Sequence, residues 1–461
     1  MNIGVLALGR STFDIEFANT KLTQCNQFLS STEHVIFGSC QLLLEEGDTT
    51  REIEKLKKEP IDFILILQVT FTDALTSIKI ANSFKKPIGI WAFPEPRLGE
   101  RLRLNAFCGL NLASHAMSLA NIKFSWLYED PATVKQSKLN MIFEKKCRSA
   151  DLSRKDFTFS SSEKARAIKD KISGYKIGKI GKHPDGFATC KYDQEVLRDF
   201  CGIEVEEIDL NALFSIAKTV NTKKVEYDFR YLQSRLDTIE SVDQKELKSS
   251  LKLNNSLKEL KLKGNYDAFA IRCWPEMFTE YGAAICAPAS MMTENRIPCA
   301  CEADVYGAVT QLILQEVSNQ PVFLTDIVDI DVEDNTGVFW HCGQAPISMC
   351  SSEFVPKATI HTNRKMPLLF EFPLKEGAVT IMRISQAFGK HKMMIGKGNI
   401  LKRDLPFTGT SGVIEFDREA KLVLEDIIST GLEHHVAIAY GNYEKLLSEV
   451  ASELDLPVLY I

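Results

Sequence analysis

The 461-residue chain has no run of about 18 uninterrupted apolar residues, so no helix is expected to span a membrane. It has no basic excess: 55 Lys and Arg against 61 Asp and Glu leave a formal net charge of −6. That balance provides no global field for nucleic acid or anionic lipid, and neither is expected as a partner. The opening MNIGVLALGRSTFD lacks a basic region before its short apolar run, and Arg10 and Asp14 follow at once. A first strand is therefore expected there rather than a secretory leader, and the expected location is cytoplasmic. The 12 cysteines lack the spacing of a disulfide framework. Of Cys286, Cys299 and Cys301 only the last two are close in sequence, short of the two ligand couples of a structural zinc site. Free buried thiols are the expectation.

With 45% apolar and 25% charged residues, the chain has ample material for a core, and disorder is excluded as its main state. At roughly 100–200 residues per domain, its length suggests two to four domains. Apolar runs at 2–9, 34–39, 62–68, 87–93 and 123–129 are separated by stretches long enough for helices. Such alternation predicts a parallel sheet in an α/β unit. A second α/β unit begins near 165, with strand candidates YKIGKIG, GIEVEEID and DAFAIRCW. Between the last two, residues 210–263 are Lys/Glu-rich with Leu and Ile at helical spacing, a solvated helical region. From about 337 the runs GVFWHCG, KATIHT, PLLFEFP, AVTIMRIS and KMMIGKGNIL are short and punctuated by Gly, Pro and Asn. That texture predicts antiparallel strands, and a last helix (NYEKLLSEVASELD) precedes a final strand (PVLYI). The expected fold is α/β: two doubly wound Rossmann-like domains over 1–165 and 166–336, the second carrying the candidate metal carboxylates. An antiparallel β-rich, barrel-like domain over 337–461 follows them.

The residues best suited to chemistry lie between 271 and 346. Val305, Ala308, Val309, Leu312 and Ile313 fall at the spacing of one helix face, which puts Glu302 and Asp304 at or before its N-terminus. Asp304 reads as the N-cap, whereas Glu302, one step outside, has no such structural task. Asp326 ends the apolar strand PVFLTD, where open α/β sheets place ligand sites. His341 stands between Trp340 and Cys342, and His434 and His435 precede VAIAYG. Two carboxylates with one or two imidazoles suit Mn²⁺ or a similar divalent ion better than a soft thiolate metal. A satisfied core histidine is the alternative for each imidazole.

The segments CEADVYG, FLTDIVDID, WHCG and GLEHHVAIAYG, in this order, resemble the L-fucose/L-arabinose isomerase superfamily. That resemblance runs the length of the chain. Its motifs match at Glu302, at Asp326 24 positions later, and at His435. It implies that these three hold a divalent metal, usually Mn²⁺ with Co²⁺ or Mg²⁺ as alternatives, and that Glu302 and Asp326 are also the proton-transfer pair. His341 resembles an additional histidine of the arabinose branch, on the metal or on the substrate. The implied reaction is aldose–ketose isomerisation of an open-chain sugar through a cis-enediol, in a homo-oligomer with sites near subunit interfaces.

The chain is similar to a shorter branch of that superfamily which includes sulfoquinovose isomerases, and this points to an anionic sugar. Arg10 and Ser11, after the first strand, make an anion site with the following helix, or Arg10 is an ordinary surface or interface residue. Arg97 and Asn105 follow the strand PIGIWAF and are candidates to line the pocket, as is Trp274, which could equally be core. Gly396-Lys397-Gly398-Asn399 lacks the pattern of a nucleotide phosphate loop and reads as a tight turn. Gly-Arg-Ser-Thr after the first strand likewise lacks the Gly-x-Gly-x-x-Gly of a dinucleotide site. An isomerase of a neutral sugar such as L-fucose or L-arabinose, or a non-catalytic sugar-binding protein, are the competing readings.

Overall fold

The apolar runs of the N-terminal third pair as parallel strands. In this computed structural model, residues 1–38, 41–144, 150–155 and 161–461 are described. Val35–Phe37, Asn2–Leu8, Phe63–Gln68, Ile88–Ala92 and Ser125–Tyr128 lie side by side in that order, with Leu42–Leu43 also on Asn2–Leu8. Phe63–Gln68 and Ile88–Ala92 are buried at every residue, which explains why they read as unbroken apolar runs rather than alternating ones. The order of strands reverses between Asn2–Leu8 and Phe63–Gln68, so a crevice opens beyond their carboxyl ends. Arg10 and Phe71 follow those two ends.

A second parallel sheet runs Cys299–Ala300, Ala268–Ile271, Lys176–Ile180, Glu204–Ile208. Trp274 and Glu302 follow two of its carboxyl ends. The charged stretch between its strands forms the helices Leu210–Thr219, Thr222–Gln233 and Gln244–Gly264, as the Leu/Ile spacing predicts. Among the described residues no helix is long and apolar enough to cross a membrane.

The third sheet is mixed, and six of its strands close a ring. Phe323–Asp331 pairs with Thr336–His341, then Thr410–Phe416, Lys392–Ile400, Gly377–Ser385 and His435–Tyr440, which returns to Phe323–Asp331, every pairing antiparallel. Phe323–Asp331 precedes residue 337, where the sequence reading begins the β-rich part, yet both of its partners are ring strands. Asp326, expected at the end of an apolar α/β strand, is instead the fourth of its nine residues, because antiparallel pairing on both sides carries the strand on to Asp331. The expected turn at 396–399 is instead mid-strand, in Lys392–Ile400. Gly398 is there because a Cβ would stand 2.4 Å from the Glu415 carbonyl oxygen of the neighbouring strand.

Arg97, expected near the substrate, fastens the first sheet to the ring. Its Nε donates to Asp329 Oδ2 at 2.7 Å and one terminal nitrogen to Thr336 Oγ1 at 2.7 Å. The Tyr128 hydroxyl donates to the other Asp329 oxygen at 2.6 Å. The Asp329 side chain is 4% exposed, so removing the guanidinium would leave a buried charge uncompensated. Arg97→Ala should therefore cost about 3 kcal/mol in urea unfolding while KM stays unchanged. A raised KM with unaltered stability would return Arg97 to the substrate.

Candidate active site

Both parallel sheets and one end of the ring face a common cavity of about 130 Å³. All the expected site residues line it except Ser11 and Arg97. Ser11 is exposed and faces a separate depression beside Glu45 and Lys79, while its neighbours Arg10 and Thr12 line the cavity. Arg10 reaches the cavity, but its guanidinium is engaged by Asp73 at 2.7 Å. Asn105, in the left-handed region at φ 49°, has its buried Oδ1 without a hydrogen-bond partner.

Glu302 sits between the strand Cys299–Ala300 and the helix Val305–Ser318, with φ 59°, followed by Ala303 at 53°. The left-handed region costs residues bearing a Cβ about 1–2 kcal/mol each, and buried partners hold Glu302 there. Trp274 Nε1 donates to its Oε1 at 3.0 Å, and His434 Nε2 lies 3.1 Å from its Oε2. Asp326 and His435 are opposite each other in the register of Phe323–Asp331 with His435–Tyr440. Cross-strand partners share a face, so the sheet itself sets carboxylate against imidazole. His435 Nε2 lies 3.5 Å from Asp326 Oδ1 and 3.9 Å from Glu302 Oε2.

Asp304 does more than cap the helix. It accepts from Gly307 N at 2.8 Å, as an N-cap should, and forms a two-pronged ion pair with Arg383 at 2.5 and 3.1 Å. It also accepts from His435 Nδ1 at 2.9 Å. With Nδ1–H committed, the Nε2 lone pair of a neutral His435 remains for the cavity.

Burial pushes Asp326 upward, beyond what the nearby His435 and His434 offset. Burial would raise Glu302 too, but His434, His435 and Trp274 bring it below the usual carboxylate range. Burial opposes protonation of His435, and Asp304, Asp326 and Glu302 together reverse that and raise its pKa. Burial and the neighbouring His435 lower the His341 pKa to about 3, so this ring is neutral near pH 7. Its Nδ1 accepts from Cys342 N at 2.9 Å, which places the proton on Nε2. His341 thus carries an N–H rather than a lone pair at Nε2.

The remaining donors fit a divalent ion. Asp326 Oδ1 is buried without a hydrogen-bond partner, an arrangement that is costly unless a cation or a proton meets it. Glu302, Asp326 and a histidine oriented by a carboxylate form an oxygen-rich set suited to Mn²⁺-like ions. Among the described residues two trios bring their ligand atoms within 4.8 Å of one another, Glu302–His434–His435 and Cys190–Asp304–His435, and Asp326 stands just outside both.

Comparisons with known proteins identify the family of the chain. The family model described as Fucose/sulfoquinovose isomerase, N-terminal domain, matches residues 4–150, and that of the L-fucose isomerase C-terminal domain matches 339–461. A sulfoquinovose isomerase from Priestia aryabhattai is 29% identical over 451 residues, 97% of this chain and 96% of its own. Those of Alkalicoccus urumqiensis and Clostridium sp. (strain MSTE9) are 28% and 27% identical, each over 98% of its own length and at least 98% of this chain. The chain belongs to the fucose/sulfoquinovose isomerase family. It is a sugar isomerase.

Several parts of the isomerase site escape the sequence reading. His434 stands in the sequence beside His435, but nothing there assigns it the contact with Glu302. Arg383, with no side-chain exposure, is signalled only by a lone charge in the apolar run AVTIMRIS. The segment Thr362–Arg364 lines the cavity without any motif to mark it.

The raised pKa of Asp326 has a thermodynamic consequence. A carboxyl whose folded pKa exceeds its unfolded value loses stability for the fold as pH rises above about 4. Asp326→Asn should therefore raise the melting temperature of the chelator-treated isomerase at pH 7.5 by about 1–3 °C. The gain should shrink as the pH falls toward 4, and a lower melting temperature at pH 7.5 would contradict it.

Proposed function

We propose that the protein interconverts sulfoquinovose and 6-deoxy-6-sulfofructose, a metal-dependent aldose–ketose isomerisation through a cis-enediol. The observation carrying the metal chemistry is the buried Glu302–Asp326–His435 set, with one carboxylate oxygen left without a partner. The substrate rests on the sulfoquinovose isomerases that this chain resembles over nearly its whole length.

A divalent ion, Mn²⁺ or else Co²⁺ or Mg²⁺, held by Glu302, Asp326 and His435 would supply Lewis acidity for charge developing on O1 and O2. Proton movement falls to the carboxylates. Both oxygens of Glu302 are engaged by Trp274 and His434, whereas Asp326 keeps a free oxygen and a raised pKa. The Asp326 oxygen that would meet the ion is not also free to act as base, so the C2 proton passes to whichever carboxylate oxygen of the pair the bound ion leaves within hydrogen-bond reach. Return of that proton at C1, with the O2 hydroxyl proton passing to O1, completes the ketose. His341 Nε2–H donates to a sugar oxygen, and the apolar walls formed by Phe71, Trp274 and Trp340 limit water at the reacting carbons.

Purified, Mn²⁺-loaded protein in D₂O is expected to incorporate deuterium at C2 of sulfoquinovose, followed by NMR, and to stop when the metal is chelated. Glu302→Gln, Asp326→Asn and His435→Ala should each lower the rate by roughly 1,000-fold or more. Uptake into L-fucose, L-arabinose or D-glucose but not sulfoquinovose would keep the chemistry and reject the substrate. No uptake with any sugar would favour a binding protein.

A further inference from the structure

Two guanidinium groups reach the cavity, and they differ in one respect. Arg10 is paired with Asp73 at 2.7 Å, whereas Arg364 has no carboxylate partner among the described residues. Arg364 is half-buried, with its Cζ 5.7 Å from the ring centroids of both Trp274 and Phe278. Arg10 lies 6.0 Å from the same indole, so two like charges share one aromatic ring. Burial, and then Arg10, lower the Arg364 pKa, the mark of a charge not compensated locally.

The segment bearing Arg364 is shaped by His361. The His361 carbonyl accepts from Lys365 N at 2.7 Å, and its own N donates to Met366 O at 2.9 Å. Its Nδ1 accepts from Asn363 N at 3.2 Å and Arg364 N at 3.3 Å. Burial lowers this imidazole to about 4, so it remains a neutral acceptor at working pH. The turn thus holds Arg364 by its backbone while the guanidinium stays uncommitted. Beside it, the buried Asn363 Oδ1 also lacks a partner.

We infer that Arg364 is the specificity-determining residue that receives the anionic end of the substrate, an inference that rests on the function proposed above. The indole of Trp274 connects the two ends of the site: Nε1 holds Glu302 at the reacting end, and the ring carries Arg364 at the other. An open-chain sugar with C1 and C2 at the carboxylates directs C6 away from them, toward Arg364. A sulfonate there offers oxygens to the planar guanidinium fork in charge-assisted hydrogen bonds. A neutral C6 group would leave a half-buried cation unpaired, which is how a site rejects an analogue lacking the expected group. Arg10, neutralised by Asp73, supports the indole instead.

The test compares Arg364→Gln, Arg364→Lys and Arg10→Gln in the Mn²⁺-loaded enzyme, with sulfoquinovose turnover and ethanesulfonate inhibition as readouts. Arg364→Gln should raise KM for sulfoquinovose roughly 50-fold or more, with a far smaller fall in kcat, and abolish competitive inhibition by ethanesulfonate. Arg364→Lys should recover part of the loss, and Arg10→Gln should raise KM less than Arg364→Gln. Unchanged KM and inhibition in Arg364→Gln would overturn the assignment. So would a collapse of kcat with ethanesulfonate still bound, which would mean that Arg364 only supports Trp274. If the unaltered enzyme fails on sulfoquinovose, the proposed function falls separately. Ethanesulfonate binding that is lost in Arg364→Gln would then still uphold Arg364 as the anion residue. Turnover of glucose 6-phosphate in place of sulfoquinovose, lost in the same variant, would uphold it with phosphate as the anion.

Discussion

The carboxylate of Asp304 is the constraint on which the rest of the site depends. Fully buried, it is stable as an anion only because Arg383 grips it from the ring and the helix N-terminus donates to it. The same carboxylate then orients His435. One buried charge thus connects the second parallel sheet, the helix it feeds and the closed ring. Without Arg383 the burial would be prohibitive, and without Asp304 the imidazole would lose its direction.

Around that anchor, two carboxylates in the same cavity are driven apart in character. Glu302 is enclosed by donors and stays ionised, while Asp326 is enclosed by little and is pushed toward its protonated form. Paired acids with opposed environments divide the work between holding charge and moving protons. The polarity extends along Trp274 to Arg364, so one end of the cavity is acidic and the other cationic. An open-chain molecule with polar oxygens at one end and a negative group at the other matches that gradient.

Much of this was legible in the residues. The parallel strands announced themselves because burial on both faces leaves unbroken apolar runs, and Glu302 stood out because a carboxylate on a turn of small residues had no structural task. Asp304 was legible as a cap through its spacing, but its contacts with Arg383 and His435 were not, since those partners lie 79 and 131 positions away. Phe323–Asp331 was misplaced for a physical reason: a strand buried on both sides reads the same in a ring as in a parallel sheet. Arg97 looked like a substrate residue because it follows a strand end, and only tertiary packing reveals Asp329 beneath it. Arg364 was invisible because its meaning is an absence of partners, which no local pattern encodes.

The ring also imposes an order in time. Of its six strands, His435–Tyr440 is the last to leave the ribosome, and it inserts between Phe323–Asp331 and Gly377–Ser385, which are made well before it. Until that insertion the nascent chain carries two bare strand edges, the features most prone to pairing with another molecule. The closing strand is also the one that brings His435. Closure of the fold and arrival of the last expected metal ligand are therefore a single event, and an unfinished chain has no complete site to load.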